Sequence, residues 1–389
     1  GGGQKFPHPL RVDVLLRAYE RTDRGVFRDV VAETADAWIG GGLHDHVGGG
    51  FHRYCVDSDW TVPHFEKMLY DNAEISRALL DVHRVTGDER YADAARRTFD
   101  FLEREMRSPE GAFYSTLDAQ SEDEKTGERE EGAFYVWTPD EARDVFEDDE
   151  DAELFVERYG ITEEGNFEGS NVLTVSKTVE QLTEERGESV EEARGAVERV
   201  RETARKAREN RPRPPRDEKV LASWNGLTVS ALAAGGVVLE DRYAELAEDA
   251  LSFVRDTLWD NENERLSRRY KEGEVKVDGY LDDYAFVARG ALDTFGATSD
   301  PEHLRFALEL GDAIVEEFYD DEEGTLYYTP ESGEDLVTRP RETTDTSTPA
   351  SAGIAADVLV ALSSFDDTFE EPARKGVQSD VGEAERRPV

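Results

Sequence analysis

The sequence is poor in cysteine and in long apolar runs, and each shortage excludes a class of protein. A single cysteine, Cys55, excludes an internal disulfide framework and any Cys-x-x-Cys redox pair. The longest apolar stretch, Val229–Leu239, is well short of the roughly 20 residues that a membrane-spanning helix requires. The chain opens on three glycines, with neither an initiator methionine nor a signal-peptide pattern. We therefore predict no membrane span and expect a cytoplasmic fragment of a longer protein.

Lysine is also scarce, because only nine of the 46 basic residues are lysines. Acidic residues number 89, are spread along the whole chain and set a formal net charge of -43. We interpret this composition as an acidic, halophilic surface, since salt screens the self-repulsion of such a surface. The alternative is a chain that binds cations or basic partners. Nucleic acid is disfavoured as a partner, because its phosphates would be repelled.

Apolar periodicity predicts a mostly helical chain. The 389 residues are enough for one large domain or two ordinary ones. The predicted helices are Leu10–Tyr19, Phe27–Trp38, His64–Val85, Tyr91–Met106, Ser223–Leu239, Tyr243–Trp259, Leu281–Phe295, His303–Phe318 and Ala350–Leu362. Short strand-like pieces lie between them, at Ala112–Ser115, Ala133–Trp137, Arg265–Tyr270 and Thr325–Thr329.

The order of these pieces repeats, which predicts a series of helical hairpins. A first helix leads through an acidic-Gly turn and an aromatic pair into a second helix. The second helices begin with polar or aromatic residues near Pro63, Ser223, Leu281 and Ala350, with Ser223 as an N-cap and Pro63 in a first turn. If these helices form an inner ring, their N-termini meet at one mouth and lend it positive potential. The pattern predicts an all-α (α/α) toroid with short β-hairpins in its loops.

Two segments depart from the repeat. Residues 118–215 are predicted to be an insertion, with a charged loop at Ser121–Gly132 and a helix at Val190–Arg208 that is polar nearly all round. The tail 372–389 has no apolar periodicity, so we predict disorder there. The predicted barrel domain is therefore 1–371.

The stretch Gly41–Asn72 holds four of the seven histidines, the cysteine and two glycine clusters. On a helix that starts at Pro63, His64, Lys67 and Asp71 share one face. The alternative is an ordinary Lys67–Asp71 ion pair beside a capping histidine. His44, His46 and His52 are alternative metal ligands, but no established zinc spacing is present. We therefore predict neither a metal nor a cofactor.

Acidic and aromatic residues at the starts of the other second helices add candidate groups. Asp282 and Asp283 fit either plain N-terminal carboxylates or a general acid with a raised pKa. Phe51, Trp224 and Tyr284 fit either the core or a stacking platform for a sugar ring.

Seven motifs, taken together, resemble the YyaL-like family of thioredoxin-domain-containing proteins, which includes the spermatogenesis-associated homologue. They are Lys5–Pro9, Gly41–Asp57, Pro63–Asn72, Gly132–Thr138, Tyr159–Leu173, Asp217–Leu227 and Asp278–Phe286. The resemblance covers about residues 4–365, and the arginine-rich acidity is similar to that of haloarchaeal members.

This resemblance implies an N-terminal thioredoxin-like domain, absent from this chain, followed by an (α/α)6 barrel of the six-hairpin glycosidase type. The segment Pro349–Gly353 departs from the family's Pro-Ser-Gly-Asn, and the end after Ala373 also diverges. We therefore expect the barrel to be incomplete at its C-terminal end.

Our leading hypothesis is a carbohydrate-active site of the epimerase or isomerase kind at the barrel mouth, with carboxylate-pair hydrolysis as a variant. A neutral histidine near pH 7 suits proton abstraction beside a carbonyl. The predicted catalytic residues are His64, Glu66, Asp282 and Asp283. The predicted ligand contacts are His44, His46, Phe51, Lys67, Asp71, Trp224, Asn225 and Tyr284. The alternative is a non-catalytic scaffold that presents a ligand or client to the thioredoxin-like domain.

Overall fold

The computed structural model describes residues 3–124, 126–333 and 338–386, with side chains described up to residue 379. The chain is 55% helical, as the periodicity predicts. Its α-helices are α1 (Pro9–Thr22), α2 (Gly25–Gly40), α3 (Leu69–Thr86), α4 (Glu89–Phe101), α5 (Pro139–Asp144), α6 (Asp149–Tyr159), α7 (Val179–Arg186), α8 (Val190–Arg208), α9 (Ala222–Val238), α10 (Asp241–Phe253), α11 (Leu281–Thr298), α12 (Pro301–Phe318), α13 (Ser351–Leu362) and α14 (Glu370–Arg386). In the part of the chain that the structure describes, no helix is long and apolar enough to cross a membrane.

The strands are short and pair antiparallel. They are β1 (Tyr54–Cys55), β2 (Pro63–His64), β3 (Lys67–Met68), β4 (Thr116–Leu117), β5 (Gln120–Glu122), β6 (Arg129–Glu131), β7 (Arg216–Asp217), β8 (Val220–Leu221), β9 (Trp259–Asp260), β10 (Arg265–Lys271), β11 (Glu274–Asp278), β12 (Tyr319–Asp320) and β13 (Thr325–Leu326). A π-helical turn extends α4 through Leu102–Met106, and another extends α10 through Val254–Leu258. A short 3-10 turn, Asp367–Phe369, precedes α14.

The prediction of a helix from Pro63 is wrong. Pro63 and His64 form β2, which pairs with β1, and Lys67 lies in β3, which pairs with β4. The helix begins only at Leu69, so His64, Lys67 and Asp71 do not share a helix face. Proline suits an edge strand as well as a first helical turn, because neither position requires a backbone N–H donor.

Two helix boundaries also differ from the sequence prediction. The N-cap of α9 is Leu221 and not Ser223, because the backbone N–H of Ser223 already lies inside the helix and donates to Asp283. The tail from Pro372 is not disordered up to Arg386, since it lies in α14. Pro372 and Ala373 are buried, and Lys375 pairs with Asp321 at 2.9 Å.

By its internal contacts, the chain divides into two compact units. Unit 1 is residues 1–68, 81–101 and 116–217, and unit 2 is residues 69–80, 102–115 and 218–389. All of the predicted insertion, residues 118–215, therefore falls in unit 1. Helix α8 has the predicted bounds, and it has a buried apolar face: Val197 and Val200 join a core cluster with Val47, Trp137 and Phe155.

In unit 2, the start of α3 and the helices α9 and α11 run side by side in the same direction, and α13 packs along α11. Tyr70 at the start of α3 packs edge-on against Trp224 at the start of α9, with ring centroids 4.8 Å apart. Ser223 at the start of α9 donates to Asp283 at the start of α11 at 3.0 Å. These contacts join the starts of neighbouring helices, which confirms that three of the predicted second helices begin at one end.

Further along these helices, a ladder of polar side chains joins all four. Arg77 of α3 reaches Ser230 of α9 and pairs with Asp293 of α11 at 2.7 Å. Arg289 of α11 pairs with Asp357 of α13 at 2.8 Å. Because the ladder joins residues a similar number of turns from each helix start, it fixes the parallel register. Helices α10, α12 and α14 pack against α9, α11 and α13, respectively, as their hairpin partners.

The closest approach in this bundle lies between α9 and α11. A Cβ added at Gly226 would lie 2.4 Å from the backbone carbon of Phe286 and 2.5 Å from the nitrogen of Val287. Backbone atoms of a packed helix cannot move aside as a side chain can. Gly226 therefore sets the spacing at which Ser223 reaches Asp283.

Replacing Gly226 with alanine is expected to lower the free energy of unfolding by roughly 3 kcal/mol or more, since overpacking here displaces backbone. Gly296 is the matched control, because it lies in α11 with nothing within 4 Å of its added Cβ. Gly296→Ala is expected to raise stability by about 0.5 to 1 kcal/mol through the better helix propensity of alanine. Chemical denaturation of both variants measures the difference, and equal effects would contradict the close packing.

Candidate functional site

In unit 1, strands β1 and β2 place His64 at a half-exposed position. Its ring stacks on Tyr54, the residue opposite it in the strand pair, with centroids 5.1 Å apart. The Nδ1 atom of His64 lies 2.8 Å from Oε1 of Glu131, and Nε2 lies 3.6 Å from Oε2 of Glu66. Arg53 contacts the same Glu66 oxygen at 3.3 Å. Each ring nitrogen of His64 therefore faces a carboxylate.

These carboxylates decide the charge of the imidazole. Glu66 and then Glu131 raise the pKa of His64 above its usual value, because both stabilise the protonated ring, and partial burial opposes them only in part. The same contact with His64 lowers the pKa of Glu66. The sequence predicts a neutral base at His64. This environment instead favours the protonated imidazole, which can donate a proton.

Lys67 lies elsewhere in unit 1, in a fully buried charge cluster. Its Nζ donates to Oδ2 of Asp45 at 2.7 Å and to the carbonyl oxygen of Gly49 at 2.8 Å. Arg208, at the end of α8, binds both oxygens of Asp45 at 2.8 Å each. Burial alone would raise the pKa of Asp45, but Arg208 and Lys67 outweigh it and hold the pKa well below the usual range. Lys67 is 1% exposed, so this cluster acts as structure that fixes the glycine-rich loop.

His44, His46 and His52 are buried beside this loop. The ring of His44 packs on Phe51, Nε2 of His46 lies 2.8 Å from the carbonyl oxygen of Gly41, and Nδ1 of His52 lies 2.9 Å from the carbonyl oxygen of Phe65. Among the described residues, these three histidines do not bring ligand atoms together as a metal site would. Phe51 is a core aromatic with no exposed surface.

Burial lowers the pKa of all three rings, to about 4 for His46 and about 3 for His52. Each ring is neutral in the folded chain and takes up a proton on unfolding below about pH 6.5. Their contribution to stability is therefore fully present above that pH. It falls as the pH decreases towards the lowered values.

The free energy of unfolding is expected to fall by up to about 4 kcal/mol per pH unit between pH 6 and 4.5 on account of these three rings, since each proton contributes about 1.4. His46→Gln is expected to lower that slope by about a third, because glutamine carries no proton there. Denaturation curves at several pH values test this. An identical slope in the variant would show that His46 does not titrate on unfolding.

In unit 2, Asp282 and Asp283 open α11 and meet Arg268 from β10. Nη1 of Arg268 lies 2.9 Å from Oδ1 of Asp282 and 2.7 Å from Oδ2 of Asp283. Asp283 is completely buried and also accepts from the backbone N–H groups of Ser223 and Tyr280, both at 3.0 Å. Asp282 is partly exposed, so it is the member of the pair that faces outward.

Burial, followed by repulsion from Asp282, raises the pKa of Asp283 to about 7, against the opposing effect of Arg268 and the Tyr280 N–H. For Asp283, the sequence predicts either a plain N-terminal carboxylate or a general acid with a raised pKa. In the structure, the same carboxylate caps the helix and has a raised pKa. Asp283 forms the capping box of α11 with Tyr280 and is also perturbed towards neutrality. Because its oxygens already accept three hydrogen bonds, its first role is to join the helix starts.

The other residues of unit 2 that were predicted to contact a ligand differ in whether their side chains can reach one. Both polar atoms of the Asn225 amide bind the backbone: the oxygen accepts from the N–H of Phe113, and the nitrogen donates to the carbonyls of Phe113 and Leu221. The hydroxyl of Tyr284 accepts from the N–H of Leu266 at 2.8 Å. Asp71 is buried in the first turn of α3. Trp224 is half-buried.

Three residues at this end were missed by sequence reasoning. Arg268 lies over the ring of Tyr280 at 5.2 Å, and Tyr280 stacks on Tyr328 with centroids 5.1 Å apart. The backbone N–H of Leu281 donates to the carbonyl of Tyr328, which holds the two rings together. The only available signal was the adjacency of Tyr280 to the aspartates, because no periodicity connects Arg268, in β10, or Tyr328, just after β13, to α11.

The histidine cluster and the aspartate cluster belong to different units. Unit 1 supplies His64 with Glu66 and Glu131, and unit 2 supplies Asp282, Asp283 and Arg268 with their aromatic neighbours. The expectation that His64 and Asp283 serve one ligand stays a prediction.

No protein-family model matches the chain, but curated relatives do. Human spermatogenesis-associated protein 20 is 34% identical over 393 aligned residues, which cover 93% of this chain and 50% of the relative. The mouse protein of the same name is 33% identical with the same coverage. The chain thus spans about half the length of the curated relatives it matches.

Solved structures show the same fold at low sequence identity. Cellobiose 2-epimerase from Bacillus thermoamylovorans is 11% identical with a TM-score of 0.60, over 97% of this chain and 76% of that one. A D-mannose isomerase is 12% identical with a TM-score of 0.55, over 92% and 71%. An alpha-1,6-mannanase from Salegentibacter is 12% identical with a TM-score of 0.50, over 96% and 76%. At these identities, the likeness establishes the fold alone.

These findings confirm the predicted resemblance and the predicted all-α fold class. The chain is a homologue of spermatogenesis-associated protein 20 along about half of that protein's length, and its fold is that of the (α/α)6 six-hairpin glycosidase-like enzymes.

Proposed function

We propose that the chain acts on a carbohydrate as an epimerase or isomerase that moves a proton beside a carbonyl carbon. The observation that carries the proposal is the half-exposed imidazole of His64 with a carboxylate at each ring nitrogen. Proton transfer at neutral pH requires a group with a pKa near the working pH that remains open to a ligand. The fold shared with a cellobiose 2-epimerase and a D-mannose isomerase supports this class of substrate.

The chemistry requires a proton donor and a proton acceptor in the same step. Charged His64 gives its proton to the carbonyl oxygen of the open sugar. Glu66, which is ionised because its pKa is lowered, accepts the proton from the neighbouring carbon. Neutral His64 then takes a proton back from an enediol hydroxyl while Glu66 returns its proton to carbon. Return to the same carbon, after the enediol has turned its other face to Glu66, gives the epimer, and return to the adjacent carbon gives the isomer. Glu131 keeps the ring oriented and favours its protonated state.

In unit 2, we propose that Asp282, Arg268 and Trp224 contact sugar hydroxyls and a ring face. The local charge is balanced or negative, which favours a neutral sugar over a phosphorylated or uronic one. Hydrolysis by this carboxylate pair is less well supported. Both aspartates approach the same Arg268 nitrogen, whereas a hydrolytic pair stands on opposite sides of the bond that it cleaves.

The remaining half of the relatives' length supports one alternative. In that alternative, the chain is a non-catalytic scaffold that presents a ligand or client to a thioredoxin-like domain of a longer protein. A scaffold binds without exchanging carbon-bound protons, so a single experiment separates the two hypotheses.

That experiment incubates the chain with mono- and disaccharides in D2O, at low and high salt, and follows deuterium at the carbon next to the carbonyl by NMR. We expect exchange in at least one sugar, because a proton taken to an enzyme base is replaced from solvent. His64→Gln is expected to slow exchange by at least about 100-fold, the usual contribution of a general acid or base.

His83→Gln is the matched control, because His83 also lies beside a glutamate, Glu89, but at 3.9 Å and at the end of α3. Its exchange rate should equal that of the unmodified chain. Sugar binding without exchange in any sugar would favour the scaffold. Exchange that survives in folded His64→Gln would remove the histidine from the mechanism.

The unit 2 contacts are tested by binding alone. Asp282→Asn is expected to weaken sugar binding at the unit 2 contacts by about tenfold, since a charged hydrogen bond contributes roughly 1.5 to 3 kcal/mol. Asp256→Asn, on the exposed side of the turn after α10, is the control and should bind as the unmodified chain does. Saturation-transfer NMR measures both, and equal affinities would remove Asp282 from the site.

A further inference from the structure

Helices α10 and α12 of unit 2, which are the hairpin partners of α9 and α11, bring three side chains that can bind a metal together. Glu248 lies on α10, His303 lies in the first turn of α12, and Asp300 is the N-cap of α12. One ligand atom from each side chain lies within 4.8 Å of the other two. Nε2 of His303 and Oε1 of Glu248 are 2.9 Å apart. Among the described residues, this is the group of histidine and carboxylates that converges as a metal site does.

The backbone explains how two of the three are placed. Oδ1 of Asp300 accepts from the N–H of Glu302 at 2.9 Å, and the N–H of His303 points back to the Asp300 carbonyl at 3.2 Å. Asp300 and His303 are therefore one helical turn apart at a fixed helix start. Oδ2 of Asp300 takes no part in this capping hydrogen bond. Glu248 completes the group from the neighbouring helix.

The charges near this group are arranged for a cation. Within the described chain, neither Glu248 nor Asp300 is paired with lysine or arginine. Two arginines on the same helices pair with other carboxylates: Arg255 pairs with Glu302 and Glu309, and Arg305 pairs with Glu302 at 2.6 Å. Two unpaired carboxylates and an imidazole leave a local excess of negative charge, which a divalent ion would neutralise.

We propose that Glu248, Asp300 and His303 bind a divalent transition-metal ion, with Zn2+ preferred, which braces α10 against α12. One imidazole nitrogen with two carboxylate oxygens suits Zn2+, Mn2+ or Co2+ and disfavours Mg2+ and Ca2+, which take oxygen ligands. Water completes the coordination. Ligand atoms about 2.0 to 2.2 Å from a common ion lie roughly 3.3 Å apart. The His303–Glu248 pair, at 2.9 Å, must therefore open slightly, and the Asp300 carboxylate must come within that distance of both. His303 and Glu248 are only partly buried, which leaves them free to do so.

The site is separate from the proposed carbohydrate chemistry. Asp282 and Asp283 lie at the start of α11, whereas this group joins two of the helices that pack against α9 and α11. Metal binding at this position is expected to stabilise unit 2 by favouring the folded state. It is not expected to change proton transfer by His64.

The test is isothermal titration of the untagged full chain, after chelator treatment and dialysis, with ZnCl2 and separately with MnCl2. We expect one site per chain, tighter for Zn2+ than for Mn2+, and weaker as the pH is lowered because the imidazole must be neutral to bind. His303→Asn and Glu248→Gln should each weaken Zn2+ binding by at least about tenfold, since even the loss of a supporting residue costs roughly 10- to 100-fold.

His83→Asn is the control, because His83 faces Glu89 without a third ligand among the described residues. Its Zn2+ affinity should match that of the unmodified chain, and circular dichroism should show all variants folded. Cobalt absorption provides a second readout, since a nitrogen–carboxylate site gives visible bands that disappear in His303→Asn. Binding of equal affinity in His303→Asn, or no saturable site in the unmodified chain, would overturn the proposal.

Discussion

One fully buried carboxylate, that of Asp283, determines much of the arrangement in unit 2. It accepts a hydrogen bond from the N–H of Ser223 at the start of α9 and another from the N–H of Tyr280 just before α11. Arg268 from β10 supplies the third at 2.7 Å. A buried carboxylate is costly unless its oxygens are satisfied, so these three groups must meet wherever Asp283 lies. The starts of two inner helices and a loop strand are thereby held at one end.

Unit 1 uses the same device for its glycine-rich loop. Asp45 binds Lys67 from β3 and Arg208 from α8, and its Oδ1 also accepts from the N–H groups of Val47 and Gly48. In both units, a buried aspartate joins segments that are distant in sequence, and the same unit also holds a more exposed polar group that is available for chemistry. In unit 1 that group is His64, and in unit 2 it is Asp282. Some charged residues of this acidic chain are therefore buried and hold the structure together, whereas others are exposed enough to contact a ligand.

Much of the fold was predictable because helical periodicity is a local signal. Helix α8 has the bounds that the sequence predicts, and α11 begins at the predicted Leu281. The error at Pro63 arose because β2 and β3 are two residues long and depend on partners at residues 54–55 and 116–117. No periodicity of one strand reveals such pairing. The hairpin order, in contrast, was visible because each turn repeats an acidic-Gly pattern.

The site was less predictable, because its contacts join distant residues. The sequence identified His64, Glu66 and the Asp282-Asp283 pair from residue type alone. It missed Glu131, which faces His64 from 67 residues away, and Arg208, which binds Asp45 from 163 residues away. Asn225 and Tyr284 have suitable side chains for a sugar, but their polar atoms are spent on the backbone.

The central claim is that the imidazole of His64 holds its proton more tightly than an unperturbed histidine, whereas the buried histidines hold theirs less tightly. An NMR titration of the histidine ring signals, assigned with single variants, measures this directly. The account predicts a His64 pKa above the usual 6.5, with His46 and His52 remaining neutral down to about pH 5. A His64 pKa at or below 6.5 would contradict it, because Glu66 and Glu131 would then not be holding the charged ring.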